Sequence, residues 1–146
     1  MRKPFEILLV EDNPADVEIT IEAFRRSHKG NRVSVCRDGE EAIEFLFQRG
    51  RFARAGSAPR PDLVLMDLNL PRKSGAEVIE QLKGNEHLRE IPVVVLTTSD
   101  RDEDIQRCYK IGANNYLIKP VQFDDCVKLI TDIQQYWLEL SKLPPR

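Results

Sequence analysis

The chain has 146 residues, of which 41% are hydrophobic and 32% are charged, and its formal net charge is −2. This length and balance predict one globular domain and exclude a disordered chain. The small net charge offers no general attraction to nucleic acid, so we expect no such partner. No apolar run approaches the roughly 18 residues of a membrane-spanning helix. A strand pattern begins near residue 5, which leaves no room for a signal peptide and predicts a cytoplasmic protein.

Apolar runs alternate with helical patterns along the chain. This alternation predicts five β-then-α units and a parallel sheet with right-handed crossovers. The predicted strands cover residues 5–10, 32–36, 63–66, 93–96 and 116–118. The predicted helices start at residue 14, cover 39–48, start at 75, and cover 102–111 and 123–140. Asn13 and Pro14 are the residue types that favour a helix cap and the first helical position.

Acidic side chains stand directly after two of the predicted strands. Glu11 and Asp12 follow the first strand, and Asp67 follows the third. Because ligands of such sheets bind outside the carboxyl ends of the strands, we expect these three carboxylates to lie close together. Their mutual repulsion is relieved by a hard cation with oxygen ligands. The pattern therefore predicts a Mg²⁺ site, and Mn²⁺ is also chemically suitable.

The other strand ends suit a phosphoryl group. Lys119 follows the fifth strand and offers a positive charge, and Thr97 offers a hydroxyl group after the fourth. The loop that follows Asp67 can turn a backbone carbonyl, such as that of Asn69, toward the cation. Phosphoryl transfer needs mainly positioning and charge neutralisation. A carboxylate can be the nucleophile, which gives an aspartyl-phosphate.

In these features the sequence resembles the receiver domain of two-component response regulators over residues 5–140. The matching segments are Val10-Glu11-Asp12-Asn13, Asp67-Leu68-Asn69-Leu70-Pro71 with Gly75, Leu96-Thr97-Thr98, and Tyr116 through Lys119-Pro120. The resemblance implies an α/β, flavodoxin-like, doubly wound (βα)5 fold with a five-stranded parallel sheet in the order 2-1-3-4-5. We also expect one receiver domain over residues 1–146 with no output domain, because only six residues follow Leu140.

The resemblance gives a role to each of these residues. Asp67 would accept a phosphoryl group from the phosphohistidine of a sensor histidine kinase, so the protein would be a phosphoacceptor and not an enzyme. Lys119 would contact the phosphoryl group, while Thr97 and Tyr116 would form a switch pair. The implied metal site consists of Asp12, Asp67, the Asn69 carbonyl and, through water, Glu11. The pair Glu11-Asp12 departs from the commonest family form, Asp-Asp, and the longer side chain could alter metal affinity.

Within the family the chain is similar to small stand-alone regulators that are paired with bacterial phytochromes. The segments that carry this similarity are residues 9–16, 67–75, 94–99 and 137–144. They imply a light-regulated kinase as the phosphoryl donor. Output would then be a change of protein contacts with an unidentified downstream partner, in a phosphorelay.

Two other functions compete with a phosphorylated receiver. A phosphatase of the haloacid dehalogenase type needs a second acid two residues after its nucleophile, and Asn69 occupies that position. A receiver fold can also act as a binding module that needs no phosphorylation. The phosphorylation residues are all present, which favours the phosphorylated receiver over this alternative.

Two segments leave alternatives open. Past Val127 and Ile130, the apolar residues Ile133, Trp137 and Leu140 continue at helical spacing in the fifth helix. They either cap the domain's own core or form a homodimer interface, where aromatic residues are favoured. Residues 49–61 carry four arginines and no acid, so they form either a solvated loop or a contact surface for an acidic partner.

Overall fold

A computed structural model describes residues 4–27 and 31–145. Its strands are β1 (Glu6–Val10), β2 (Arg32–Cys36), β3 (Leu63–Met66), β4 (Val93–Thr97) and β5 (Asn115–Ile118). Its α-helices are α1 (Pro14–Ser27), α2 (Gly39–Phe47), α3 (Gly75–Lys83), α4 (Asp102–Lys110) and α5 (Phe123–Gln134). The strands form one parallel sheet in the order β2-β1-β3-β4-β5, which confirms the predicted order. Except for the end of α5, the predicted boundaries differ from the observed ones by one residue at most.

Helices cover both faces of the sheet. Every residue of β1, β3 and β4 is buried, as expected for central strands of a parallel sheet. One apolar layer packs α1 and α5 on one face, and the other packs α2 and α3 on the opposite face. Among the described residues, none of the helices combines the length and the hydropathy that a bilayer crossing requires.

The strand register brings the acidic residues to one edge. Val10 of β1 lies opposite Met66 of β3, so the next residues, Glu11 and Asp67, leave the sheet side by side. The N–H of Asp67 also donates to the carbonyl of Val10 at 3.0 Å. Pairing of the two central strands therefore fixes the spacing of these acids.

Helix caps fix the loops at this edge. The Asn13 side chain accepts a hydrogen bond from the N–H of Asp16 at 3.1 Å, as predicted for the start of α1. Ser74 and Glu77 form a capping box at the start of α3. The loops that follow β1 and β3 therefore have defined exits into their helices.

The end of the chain departs from the regular helix predicted to residue 140. A π-helical segment, Gln135–Leu140, follows α5, and the N–H of Ser141 donates to the carbonyl of Tyr136 at 2.7 Å. The wider turn changes which side chains face inward. Leu138 is buried and Trp137 half-buried, whereas Leu140 is 68% exposed. The predicted regular helix is therefore wrong here, and the segment caps the domain's own core only in part.

The arginine-rich stretch is more ordered than the irregular loop that was predicted. A short 3-10 helix, Gly50–Phe52, lies within it. Arg51 pairs with Glu44 of α2 at 3.0 Å, and Arg60 donates to the carbonyl of His87 at 2.7 Å. The Arg49 guanidinium lies over the Phe47 ring at 4.6 Å, so intramolecular contacts occupy at least three of the four arginines.

Candidate functional site

Three carboxyl groups meet at the carboxyl edge of the sheet. One oxygen from each of Glu11, Asp12 and Asp67 lies within 4.8 Å of the others. Glu11 and Asp67 are buried, while Asp12 is exposed. Carboxylates this close repel one another, and the repulsion is strongest where water is excluded. The donor set suits a hard divalent cation that also keeps water or phosphate ligands.

Gly75 allows the start of α3 to pack closely against Asp67, the residue that follows β3. A Cβ atom on Gly75 would lie 2.1 Å from the carbonyl oxygen of Asp67, so any larger residue would displace this loop. The N–H of Gly75 also donates to the carbonyl of Leu68 at 3.0 Å. The N–H of Asn69 lies 3.4 Å from Oδ1 of Asp67, which places Asn69 beside the acids. Its role as a carbonyl ligand stays a prediction.

Lys119 lies among the carboxylates. Its Nζ atom donates to Glu11 at 2.5 Å, to Asp16 at 2.9 Å and to Asp67 at 3.4 Å. Its side chain is only 11% exposed. Burial by itself lowers the pKa of Lys119, but the hydrogen bonds to Glu11 and Asp16 and the charge of Asp67 outweigh it and raise that pKa. Lys119 therefore stays charged and neutralises part of the acid cluster.

Glu11 has an unusual protonation equilibrium for a carboxyl group. Burial is the main cause that raises its pKa, the hydrogen bond from Lys119 opposes it, and the charge of Asp67 adds to it. The result is a pKa of about 7. Because a metal ligand must be deprotonated, a cation that binds Glu11 directly must displace a proton, the lysine or both.

Asp16 is a site residue that the sequence patterns did not single out. It lies in the first turn of α1, where an acid is ordinary because it complements the helix dipole. Its position in the sequence could have indicated this role. Asp16 is the third residue of a helix that starts directly after β1, so the first helical turn places it near the end of that strand. The ion pair with Lys119, 103 positions away in the chain, depends on the tertiary fold.

Thr97 lies on β4, the strand next to β3, and Tyr116 lies on β5, the strand beyond it. Thr97 ends β4 and is fully buried, and within the described residues its hydroxyl oxygen has no hydrogen-bond partner. A buried hydroxyl without a partner is costly, so this one is suited to an incoming acceptor oxygen. Tyr116 of β5 is half-buried, and its hydroxyl donates to the carbonyl of Ser99 at 2.9 Å. Tyr116 is thus bonded to the β4–α4 loop and not to the acid cluster.

The doubly wound sheet, with acids, a lysine and a hydroxyl at its carboxyl edge, defines a class of signalling domain. The chain belongs to the response regulator receiver domain family, whose sequence profile matches residues 7–131. The prediction of this family is confirmed, and so is the flavodoxin-like fold.

Its relatives include proteins of different named roles. FilR2 of Methanothrix harundinacea, a probable methanogenesis regulatory protein, is 44% identical over 97% of this chain and 88% of its own length. The structure of phosphorylated RcpA, a cyanobacterial phytochrome response regulator, is 40% identical with a TM-score of 0.92, and the match covers 97% of this chain and 99% of RcpA. The Mn²⁺-bound structure of Rcp1, a protein of Synechocystis sp., is 42% identical with a TM-score of 0.91, over 97% and 100% of the two chains.

These relationships establish the general activity of the chain. It is a receiver-type response regulator related to the phytochrome response regulators, and receivers are phosphoacceptor proteins that work with a histidine kinase and with downstream partners. Receivers bind a divalent metal, and the acid cluster of this chain could hold one.

Proposed function

We propose that Asp67 is the phosphoacceptor and that it takes its phosphoryl group from the phosphohistidine of a sensor histidine kinase. The observation that carries this proposal is the availability of its oxygens. Among the described residues, Asn69 and Lys119 donate to the Asp67 carboxylate, and each of these two hydrogen bonds is 3.4 Å long. Both Glu11 oxygens, in contrast, are engaged, one by Lys119 and the other by the N–H of Asn13 at 3.2 Å.

The transfer exchanges one bond to phosphorus for another. An oxygen of Asp67 attacks the phosphorus, and a P–O bond forms as the P–N bond to the donor histidine breaks. The histidine nitrogen keeps the electron pair and takes up a proton from water. Lys119 and the Thr97 hydroxyl hold phosphoryl oxygens, which is the positioning and neutralisation that this chemistry requires.

Four groups would hold the cation at this site. These are Glu11, Asp12, Asp67 and the backbone carbonyl of Asn69. Mg²⁺, or Mn²⁺ in its place, would supply charge neutralisation at the phosphoryl oxygens when bound. Glu11 contributes in its ionised form, because a protonated carboxyl group is a poor ligand.

Phosphorylation would be read through β4 and β5. A Thr97 hydroxyl drawn toward the phosphoryl group leaves space that the Tyr116 ring can occupy, at the cost of the bond from Tyr116 to Ser99. The surface formed by α4, β5 and α5 would change as a result. It carries exposed apolar side chains, including Tyr109 and Ile118, and would bind the downstream partner.

A bacterial phytochrome is the proposed kinase, because RcpA is named as a phytochrome response regulator and resembles this chain over nearly its whole length. FilR2, of similar identity, is named for a different process. Transfer of labelled phosphate from a panel of phosphorylated kinases should be fastest from a phytochrome kinase. Faster transfer from kinases that lack a light-sensing domain would refute this assignment.

Three further properties belong to the same proposal. The single-domain organisation predicted for residues 1–146 stays a prediction. So does the cytoplasmic location, with which the three free thiols of the chain are consistent.

A homodimer through the α5 region is supported by the exposed Tyr136 and Leu140 beyond α5. In sedimentation equilibrium the wild-type protein should have the mass of a dimer, and the Leu140→Glu variant should have the mass of a monomer. Equal masses of the two proteins would exclude this interface.

Intact mass after incubation with acetyl phosphate and Mg²⁺ tests the phosphoacceptor. The wild-type protein should gain about 80 Da, the mass of one phosphoryl group on a carboxylate. Asp67→Asn should gain nothing, while the matched control Asp132→Asn, an exposed position on α5, should gain as much as the wild type. Full labelling of Asp67→Asn would show that another residue accepts the phosphoryl group. Equal partner affinity with and without phosphorylation would favour a phosphorylation-independent binding module.

A further inference from the structure

The Lys119 ammonium and a divalent metal cation would bind the same carboxylates in this molecule. Glu11 and Asp67 both bond to Lys119, and both belong to the acid cluster that suits a divalent cation. An ammonium group that stays between these carboxylates opposes a second cation by repulsion and by occupying ligand oxygens. Binding of the metal therefore requires another acidic partner for the Lys119 ammonium.

The third acceptor of Lys119 lies outside the acid cluster. Asp16 contacts the ammonium at 2.9 Å but is not one of the three acids that meet within 4.8 Å. Its side chain is 32% exposed, whereas that of Glu11 is 4% exposed. The Asp16 carboxylate is therefore better solvated than the Glu11 carboxylate.

The backbone at this position is fixed independently of the side chain. The N–H of Asp16 donates to Asn13, and its carbonyl accepts from the Thr20 hydroxyl at 2.8 Å. Both bonds involve only main-chain atoms of Asp16. Its carboxylate is held over the strand edge and is available to Lys119.

We propose that Asp16 is a positioning residue that takes up the Lys119 ammonium when a divalent cation binds. Before phosphoryl transfer, it draws the Lys119 ammonium away from Glu11 and Asp67, so that the divalent cation can replace the ammonium in the acid cluster. The buried lysine keeps an ionic partner throughout, which avoids the large cost of an unpaired buried charge. This inference rests on the proposed function of the Asp67 site, which it deepens by assigning a residue that controls metal entry.

Metal binding without any phosphate tests the proposal, by titration calorimetry with Mn²⁺ and then Mg²⁺. Asp16→Asn should bind Mn²⁺ about tenfold more weakly than the wild type, within the range of coupling between contacting charged groups. In a Lys119→Met background the same change should alter affinity less than about twofold, because the charge that Asp16 draws away is gone. Glu18→Gln, which removes an exposed acid from the same helix, should change affinity less than about twofold in either background.

A conservative variant separates positioning from folding. Asp16→Glu keeps the carboxylate on the same turn of α1 and should recover most of the affinity that Asp16→Asn loses. Thermal unfolding of each metal-free variant confirms that it is folded. An equal loss in the Lys119→Met background would show that Asp16 acts on the metal directly. No loss in Asp16→Asn, or an equal loss in Glu18→Gln, would also overturn the proposal.

A second measurement separates this inference from the proposed function. With acetyl phosphate as donor, Asp16→Asn should need about tenfold more Mg²⁺ for half-maximal labelling, while the labelling rate at saturating Mg²⁺ should fall less than about threefold. If Asp67 is not the phosphoacceptor, labelling of Asp67→Asn persists, yet the metal titrations still report on Asp16. If Asp16 has no such role, Asp67→Asn still abolishes labelling, but the metal affinities of the Asp16 and Glu18 variants coincide.

Discussion

Two half-buried lysines stand at opposite edges of the sheet, and different groups hold them. Lys119, at the carboxyl edge, contacts three carboxylates. Lys83, at the amino edge, donates to the carbonyls of Arg89 and Ile91 at 2.9 and 2.8 Å and to the side-chain oxygen of Asn114 at 3.0 Å. Among the described residues, the hydrogen-bond acceptors of Lys83 are neutral oxygens, and those of Lys119 are acids.

The two sets of acceptors affect the two lysines differently. Burial lowers the pKa of Lys83. Burial also acts to lower the pKa of Lys119, but the carboxylates around Lys119 outweigh it and raise that pKa. These bonds connect Lys83, at the end of α3, to the segments that precede β4 and β5, and none of the three acceptor oxygens carries a formal charge. The acids around Lys119 can accept another cation. We therefore expect Lys83 to contribute to stability and Lys119 to take part in the exchange of one cation for another.

The largest predicted effect removes Lys119. Lys119→Met leaves several carboxylates without their cation, and the free energy of unfolding in chelator should fall by about 3 kcal/mol. Mg²⁺ should restore most of that loss, because it neutralises the same cluster. Urea denaturation with EDTA and with excess Mg²⁺ measures both values. A loss that Mg²⁺ leaves unchanged would contradict the view of this edge as a place of cation exchange.

Removing Lys83 should cost less and respond differently. Lys83→Met leaves partly buried oxygens without their donor, which should lower the free energy of unfolding by about 2 kcal/mol. The same denaturation experiment should give equal losses with EDTA and with Mg²⁺. Recovery of stability by Mg²⁺ in this variant would remove the distinction between the two edges.

Stability at the carboxyl edge should depend on pH through Glu11. Its pKa is about 7 in the folded protein and 4.5 ordinarily, so between these values the metal-free folded state binds more protons than the unfolded state. Stability from this group is therefore complete below about pH 4.5 and is lost as pH rises through 7.

At the proposed metal site Mg²⁺ binds the ionised form of Glu11, so it should reverse this trend. Its stabilising effect should grow as the pH rises from about 6 to about 8. Thermal unfolding of the wild type and of Glu11→Gln, with and without Mg²⁺, measures the dependence. An identical pH profile in Glu11→Gln would assign the proton to another group.

The smallest effect concerns communication between the two edges. Strand β5 joins them, because Asn114, next to Lys83, precedes it and Lys119 follows it. The stability losses of Lys83→Met and Lys119→Met should add in the double variant to within about 0.5 kcal/mol, as expected for separated sites. A larger deviation in urea denaturation would show that β5 transmits the state of one edge to the other.

Much of the molecule is predictable from local patterns in the sequence. Buried apolar runs mark the strands, and the topology of a parallel sheet then gathers Glu11, Asp12 and Asp67 at one edge. One partner of Lys119, Asp16, was not predictable in the same way. Asp16 meets it only because α1 turns back over the end of β1, and an acid in a first helical turn carries no sign of its partner.

The end of the molecule was mispredicted for a different physical reason. Spacings of three and four assume i→i−4 hydrogen bonds, and the bond from Ser141 to Tyr136 spans five residues. Apolar residues cluster so densely after residue 129 that either hydrogen-bond pattern buries some of them. The sequence therefore indicates a helix there but does not choose its periodicity.

The π-helical segment has a consequence for how the chain tolerates changes of length. One π turn accommodates about one residue more than an α turn, so it acts as an insertion absorbed within the helix. Deleting a single residue from Gln135–Leu140 would restore the α phase and rotate the remaining residues of the segment by about 100°. Leu138 would leave the core and the Tyr136–Trp137 edge-to-face pair would turn with it. Substitutions preserve this phase, so the segment should accept many changes of side chain but no change of length.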